Sequence, residues 1–306
     1  MFYAIDPATG TVMWRYDISR DGPQKSFHGR MLLADTLAFI GSDVPTGHVY
    51  AFETRTGLVR WKHFAGKGVA GDIVGLESYL YALTKEDTVL CLDKGTGEIV
   101  WRFHTAVRYE GTNDSSPCLS GDSLFFRGLD KHVYALDARS GETVWKRKLP
   151  DALSTSPSIY DDRVYVGAFN GYIYCLSKRT GEMLGSILLE DVPFGTIDIV
   201  GGRLLVLTGY RRRGTGLSAV DSDLKEIKWI RRPEDGSFWT TDRPSVWDGH
   251  VVVGSSRGDV AAFGIIAGGE SWSLSVPGVV TAIARVGARY YIGTVEGVLH
   301  AFTAVR

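Results

Sequence analysis

Little in this sequence could cross-link the chain or anchor it. Three cysteines, Cys91, Cys118 and Cys175, occur in 306 residues and lie far apart. An odd, scattered set excludes a disulfide framework and offers no metal-ligand spacing. No apolar run approaches the ~18 residues of a membrane span. Neither sign of charge dominates: 34 basic and 35 acidic residues leave a net charge of −1. That balance excludes a surface wholly adapted to nucleic acid or anionic lipid, though not a local basic patch. The seven histidines are scattered. Nucleophile elbows, phosphate loops, zinc signatures and dinucleotide fingerprints are missing, which removes the common enzyme classes those motifs mark. The opening MFYAIDPATG enters strand-like sequence at once, without the basic, apolar and cleavage regions of a secretory leader. The expectation is a cytoplasmic protein, or a periplasmic or extracellular one if a leader has been removed.

Glycine, by contrast, is abundant (37) against 10 prolines, and aromatics reach 11%. Many tight turns between short, aromatic-rich strands give that profile. One pattern recurs: YAIDPATGTVMW to Trp14, YAFETRTGLVRW to Trp61, LCLDKGTGEIVW to Trp101 and YALDARSGETVW to Trp145. It continues as YCLSKRTGEML with Gly185 in place of Trp, then more weakly as LSAVDSDLKEIKW to Trp229 and VAAFGIIAGGESW to Trp272. A last copy begins at Leu299–Phe302. The period is about 43 residues with four short apolar segments per unit, the signature of propeller blades.

The fourth unit parses clearly. Ser156–Tyr160 is an inner strand, Asp161-Asp162 a turn, and Val164–Val166 a second strand. Asn170-Gly171 then turns into a third strand, Tyr172–Leu176, and Arg179-Thr180-Gly181 into an outer one. Asp6, Asp93 and Asp137 are placed to accept backbone N–H groups across the last turn, the glycine to supply a positive φ, and the Trp to pack between sheets. Cys91 and Cys175 fall where other units carry Ala, so they read as small buried side chains. The expected fold is an all-β, seven-bladed propeller of four-stranded antiparallel blades over residues 1–306, a single domain. Its closure is expected by pairing of the N- and C-terminal segments, with Thr11–Asp17 completing the last blade and either Tyr3–Asp6 or Leu299–Phe302 in register.

These residues resemble the PQQ-type repeat, whose core is A-x-D-x-x-T-G-x-x-x-W, and the resemblance covers essentially the whole chain. It is shared by quinoprotein dehydrogenases and by the non-enzymatic outer-membrane assembly propeller, and it fits the latter better. In the dehydrogenases it implies a quinone stacked between a Trp and a ring of two adjacent cysteines, beside a Ca²⁺ site. This chain has no adjacent cysteines and no clear calcium loop, so no cofactor and no specific quinone binding are expected.

Two regions stand out as candidate sites. Aligning the units brings the inner-strand starts together at a channel mouth. One ring there is His28, Gly71, Ser115, Thr155, Gly195, Asp242 and Thr281; the next is Gly29, Asp72, Ser116, Ser156, Thr196, Arg243 and Ala282. His28, Asp72, Asp242 and Arg243 make this the candidate place for a small anionic ligand, against the plainer reading of polar residues solvating trapped water. The second region is the long connector after Trp229. Arg231, Arg232, Phe238 and Trp239, with Arg211, Arg212 and Arg213 expected on the same rim, have the composition of an interface anchor. The reading is a scaffold or adaptor propeller that binds a protein partner within a larger assembly. The alternative is a ligand-binding or oxidoreductase propeller; nucleic acid and a membrane span are not expected.

Overall fold

The computed structural model describes residues 1–22, 26–43, 46–105, 112–209, 215–233, 237–238 and 244–303. It is all-β: the single helical element among these residues is a 3-10 turn, Ile18–Asp21. The chain divides into two compact units, Met1–Pro157 and Ser158–Arg306.

The first unit opens with a hairpin of Phe2–Ile5 on Val12–Tyr16. Three four-stranded antiparallel blades follow. Blade 1 comprises Leu32–Ala34, Leu37–Gly41, His48–Glu53 and Val59–Phe64. Blade 2 comprises Val74–Leu76, Tyr79–Leu83, Thr88–Asp93 and Ile99–His104, and blade 3 Cys118–Ser120, Ser123–Arg127, His132–Asp137 and Thr143–Lys148. A further short strand, Thr155–Ser156, ends this unit.

The second unit holds four blades. Blade 4 is Ser158–Tyr160, Arg163–Gly167, Tyr172–Ser177 and Met183–Leu188; blade 5 is Pro193–Val200, Arg203–Thr208, Gly216–Asp221 and Ile227–Arg231. Blade 6 is Ser245–Trp247, His250–Gly254, Asp259–Gly264 and Glu270–Ser275, and blade 7 Val280–Val286, Arg289–Thr294 and Leu299–Thr303. This is the seven-bladed propeller fold that the repeat predicts. The expected closure needs correction: among the described residues Val12–Tyr16 pairs with Phe2–Ile5 in a separate two-stranded sheet, and blade 7 has three strands, Leu299–Thr303 pairing with Arg289–Thr294 alone, because the adjacent hairpin partner Phe2–Ile5 takes up the outer strand.

Burial follows position in the blade. Third strands such as His48–Glu53 and Thr88–Asp93 are buried through their middle four residues, because both faces of the sheet meet a neighbour. Outer strands such as Val59–Phe64 alternate half-buried with exposed, one face packed and the other in water. The core is therefore a series of inter-sheet layers. One joins Phe39, Val49 and Ala51 of blade 1 to Leu80, Ala82 and Leu92 of blade 2. Another joins Leu205, Leu217 and Trp229 of blade 5 to Val251, Val253 and Phe263 of blade 6.

The repeated Trp and Gly explain each other. Trp61 of blade 1 lies on the last turn of blade 2, where its indole N–H donates to the Lys94 carbonyl at 3.0 Å. Gly97 stands under the ring with φ +73, and a Cβ there would come within 2.5 Å of the indole. Trp14, Trp101 and Trp229 repeat the arrangement on Gly57, Gly141 and Gly268, donating to Thr54, Ala138 and Ile265. The acidic residue that opens the turn accepts backbone N–H bonds across it, as Asp93 does from Gly95 and Thr96, both at 2.9 Å. Asp6 and Asp137 act alike, and these bonds hold both carboxyls below the usual range.

Blade 4 lacks this Trp and blade 5 lacks the Thr-Gly turn, and the two changes compensate. Leu224, in the blade 5 turn with φ +55, is buried with Tyr165 and Cys175 of blade 4. Cys175 is the register partner of Gly185. The Ser222 carbonyl, equivalent to the one that takes the indole N–H elsewhere, accepts the Tyr165 hydroxyl at 2.7 Å.

Candidate functional site

At the inner-strand starts of the first unit, neighbouring backbones come too close for side chains. A Cβ on Gly29 would lie 2.2 Å from the Gly71 carbonyl oxygen, and one on Gly71 would lie 2.3 Å from that of Ser115. Side chains one position further on then bridge the blades. Asp72 accepts the Arg30 N–H at 2.8 Å; the Asp72 N–H donates to Ser116 Oγ at 2.8 Å; the Ser116 N–H donates to Ser156 Oγ at 2.9 Å. Asp72, singled out as a candidate ligand residue, thus has one carboxylate oxygen committed to inter-blade structure.

His28 turns elsewhere. Its Nε2 is 2.8 Å from Ser26 Oγ and 3.6 Å from the Asp43 carboxylate. Ser, His and Asp stand together, but both contacts fall on the same ring nitrogen. A nucleophilic relay needs the acid on the opposite nitrogen from the hydroxyl, so this is not that geometry. Asp242 and Arg243 lie outside the described residues.

Beneath His28 is a buried polar network that periodicity did not indicate. The Lys85 ammonium sits 2.8 Å from Asp43 and 3.2 Å from Asp114. Burial opposes its charge, but the two carboxylates prevail and its pKa is raised. Asp87, fully enclosed, accepts from Asn113 at 2.6 Å, Thr105 at 2.6 Å and the Leu129 N–H at 3.0 Å. Thr105 and Asn113 lie in the connector from blade 2 to blade 3 and Leu129 in a loop of blade 3, so with Asp43 the network joins segments of blades 1 to 3. Its one signal in the sequence is positional: Asp43 and Lys85 both stand two residues after a second strand.

In the second unit a groove of about 700 Å³ runs between blades 5 and 6. Arg231 and Arg232, from the end of the blade 5 outer strand, line one side. Ala261, Phe263 and Leu274 of blade 6 line the other. Arg231 is held firmly: its guanidinium lies over the Trp229 ring and donates to the carbonyls of Gly268 at 2.6 Å and Ile230 at 2.8 Å. Arg232 pairs with Glu190 at 3.1 Å. The sequence reading of Phe238 as an exposed anchor needs correction. It is 4% exposed, packed with Leu205, Trp229 and Val251, and edge-on to Phe263 at 6.1 Å. Its N–H donates to the Thr215 carbonyl, which fixes the connector down so that the ring points into the inter-blade layer. Phe238 forms groove floor, not rim. Arg211, Arg212, Arg213 and Trp239 lie outside the described residues.

The residues present do not fit the quinone that the dehydrogenases carry. The ring of two adjacent cysteines that the resemblance implies for them has no counterpart: Cys91 and Cys175 sit singly in the third strands of blades 2 and 4. Burial pushes the Cys91 thiol up to about 12 and raises Cys175 as well, so neither is a ready thiolate. No cluster of three or more His, Cys, Asp or Glu that would hold a metal occurs among the described residues. No helix among them is long and apolar enough to cross a membrane.

Comparison with known proteins gives two kinds of match. The family model described as outer membrane protein assembly factor BamB matches residues 2–129, 45–185 and 129–297. Among solved structures, BamB from Moraxella catarrhalis superposes with a TM-score of 0.75 at 18% identity, covering 96% of this chain and 89% of that one. The quinohemoprotein alcohol dehydrogenase ADHIIG from Pseudomonas putida HK5 gives 0.68 at 12% identity, covering 90% and 64%. Curated relatives match locally. The 1-butanol dehydrogenase (quinone) of Thauera butanivorans is 24% identical over 94 residues, and the quinoprotein ethanol dehydrogenase of Pseudomonas aeruginosa 27% over 94. Each match spans 28% of this chain and 14% of the relative.

Proposed function

The chain belongs to the family of the outer membrane protein assembly factor BamB, and from that footing we propose that it is a non-catalytic scaffold holding a protein partner within a larger assembly. The observation that carries this reading is the groove between blades 5 and 6. It is walled by guanidinium groups that are already fixed and floored by Phe238 and Phe263, so an entering side chain meets an ordered, mixed apolar and cationic surface. Pre-ordered Arg and aromatic groups around a water-excluding floor favour tight protein contacts, because little further ordering is needed on binding. The proposal extends on sequence grounds to Arg211, Arg212, Arg213 and Trp239, close to this connector in the chain. Under it the chain works in the periplasm, the alternative to the cytoplasm that the sequence alone leads one to expect; fractionation of the native protein tests that.

Photo-crosslinking in cells tests the groove. A photoreactive residue at Ser273, which lines it, should trap a defined partner, and one at Val286, exposed on blade 7, should not. Replacing Ala261 with Trp fills the groove and should abolish the Ser273 crosslink while the melting temperature holds. Crosslinks that persist in Ala261→Trp would sink the reading. The dehydrogenase alternative has local matches over 28% of the chain and is not better supported.

A further inference from the structure

The outer strand of blade 3 breaks the pattern of its equivalents. Val59–Phe64 and Ile99–His104 alternate half-buried with exposed. In Thr143–Lys148 only Trp145 is buried, and Lys146, Arg147 and Lys148 are all exposed. The position two residues after the repeat Trp is a half-buried His63 in blade 1, Phe103 in blade 2 and Leu274 in blade 6. In blade 3 it is the exposed Arg147.

Three neighbouring cations here also lack the company that several others have, as does the single Arg102 of blade 2. Elsewhere on outer strands, Arg60 pairs with Glu53, Lys62 with Asp21 and Lys228 with Asp221. The side chains of Lys146, Arg147 and Lys148 have no hydrogen-bond or ion-pair partner among the described residues. The strand is moreover the last of its sheet, paired on one side to His132–Asp137, which leaves main-chain groups open along the other. Lysine on such an edge can serve simply to discourage aggregation. One outward lysine is enough for that, and it gives no reason for Arg147 to replace the packing residue on the opposite face.

We propose that Thr143–Lys148 is a strand-addition site for an extended acidic segment of a partner protein. The segment's main chain continues the blade 3 sheet, and its carboxylates meet Lys146 and Lys148 on one face and Arg147 on the other. Strand alternation places those cations on opposite faces, so a peptide lying along the edge reaches all three, whereas a flat anionic surface reaches one side. Trp145 is buried, so no exposed ring stands beside the cations to stack a nucleic-acid base. This site is independent of the groove between blades 5 and 6.

The test uses the whole chain and a fluorescent peptide of alternating Glu and Val, followed by anisotropy at low salt. Binding is expected, with slowed amide exchange across residues 143–148. Reversing the charges (Lys146→Glu, Arg147→Glu, Lys148→Glu) should weaken it about tenfold or more. If that variant melts early, the Gln triple at the same positions replaces it and should still weaken binding. The same peptide N-methylated at alternate amides should fail to bind. The proposal is overturned if the peptide does not bind, if the variants bind it equally, or if the N-methylated peptide or a single-stranded oligonucleotide binds as tightly through these residues.

Discussion

Trp61 and Gly97 are a matched pair across two blades: the indole donates to a carbonyl of the turn that the glycine closes, and the ring covers the place where a Cβ would stand. Gly10 occupies the same turn position in the N-terminal hairpin with the same backbone angle, φ +74, but nothing lies within 4 Å of its Cβ position. The two glycines therefore separate backbone strain from steric conflict. Gly10→Ala should cost about 1 kcal/mol, the left-handed penalty alone. Gly97→Ala should cost about 3 kcal/mol, because the Trp61 ring must also move. Denaturant unfolding measures both. Equal losses would mean that the Trp ring yields freely, and the pairing would then carry no energy.

The second prediction concerns acid. Asp21, nearly enclosed, accepts the Tyr16 and Tyr50 hydroxyls and the Lys62 ammonium at the foot of an aromatic cluster that includes Phe2, Trp14 and Phe52. Burial alone would raise its pKa, but the three donors outweigh burial and bring it down to about 2. A depressed carboxyl contributes stability that is present above its unfolded pKa of about 4 and is lost as pH falls toward 2. The contribution is on the order of 1 kcal/mol after allowance for solvent screening. Asp21→Asn should lower stability at pH 7 and flatten its decline between about pH 4 and 2. An unchanged acid limb in that variant would remove Asp21 from the account.

Phe238 provides the third. Because it packs in the layer between blades 5 and 6, Phe238→Ala should cost about 3–5 kcal/mol, like other large core truncations. A surface anchor would instead leave the melting temperature unaltered while reducing partner binding. Thermal melts of the purified variant distinguish the two directly.

Thiol chemistry supplies the fourth. Cys91 and Cys175 are buried, whereas Cys118, on the blade 3 inner strand, is half-buried. An aromatic disulfide reagent at pH 8 should label Cys118 first and reach the other two only on unfolding. Early labelling of Cys91 would show that the layer between blades 2 and 3 opens in the native state.

The fold was readable because its signals are local and repeated. Asp93, Gly97 and Trp101 lie within nine positions of one another, and Asp137, Gly141 and Trp145 repeat them at the same spacing. The same logic located Cys91 and Cys175, which match buried alanines such as Ala51 and Ala135. The burial of Phe238 is illegible for the opposite reason. Its connector has no period, and its burial comes from Ser255 and Phe263, well over a dozen residues away in the chain. Distance along the chain also hid the Lys85 network, whose partner Asp43 is 42 positions away. Arg231 and Arg232 stand out in the sequence only by composition; the groove they line, and the carbonyls and carboxylate that fix them, are visible only with the strands assembled.

A blade such as the second also carries two unlike halves of a joint. Its outer strand offers an indole forward, and its last turn presents a glycine and a carbonyl backward. At the inner end the chain of bonds from Arg30 through Asp72 and Ser116 to Ser156 has the same sense, each amide reaching for the next unit's side chain. Such a head-to-tail joint is not self-complementary, so it sets a direction and does not by itself fix how many units follow. A duplicated stretch of about 43 residues brings both halves with it and fits between any two intact neighbours. Only where one half has been altered, as at Gly185 and Leu224, must its neighbour change too. Those two blades can be copied only as a pair.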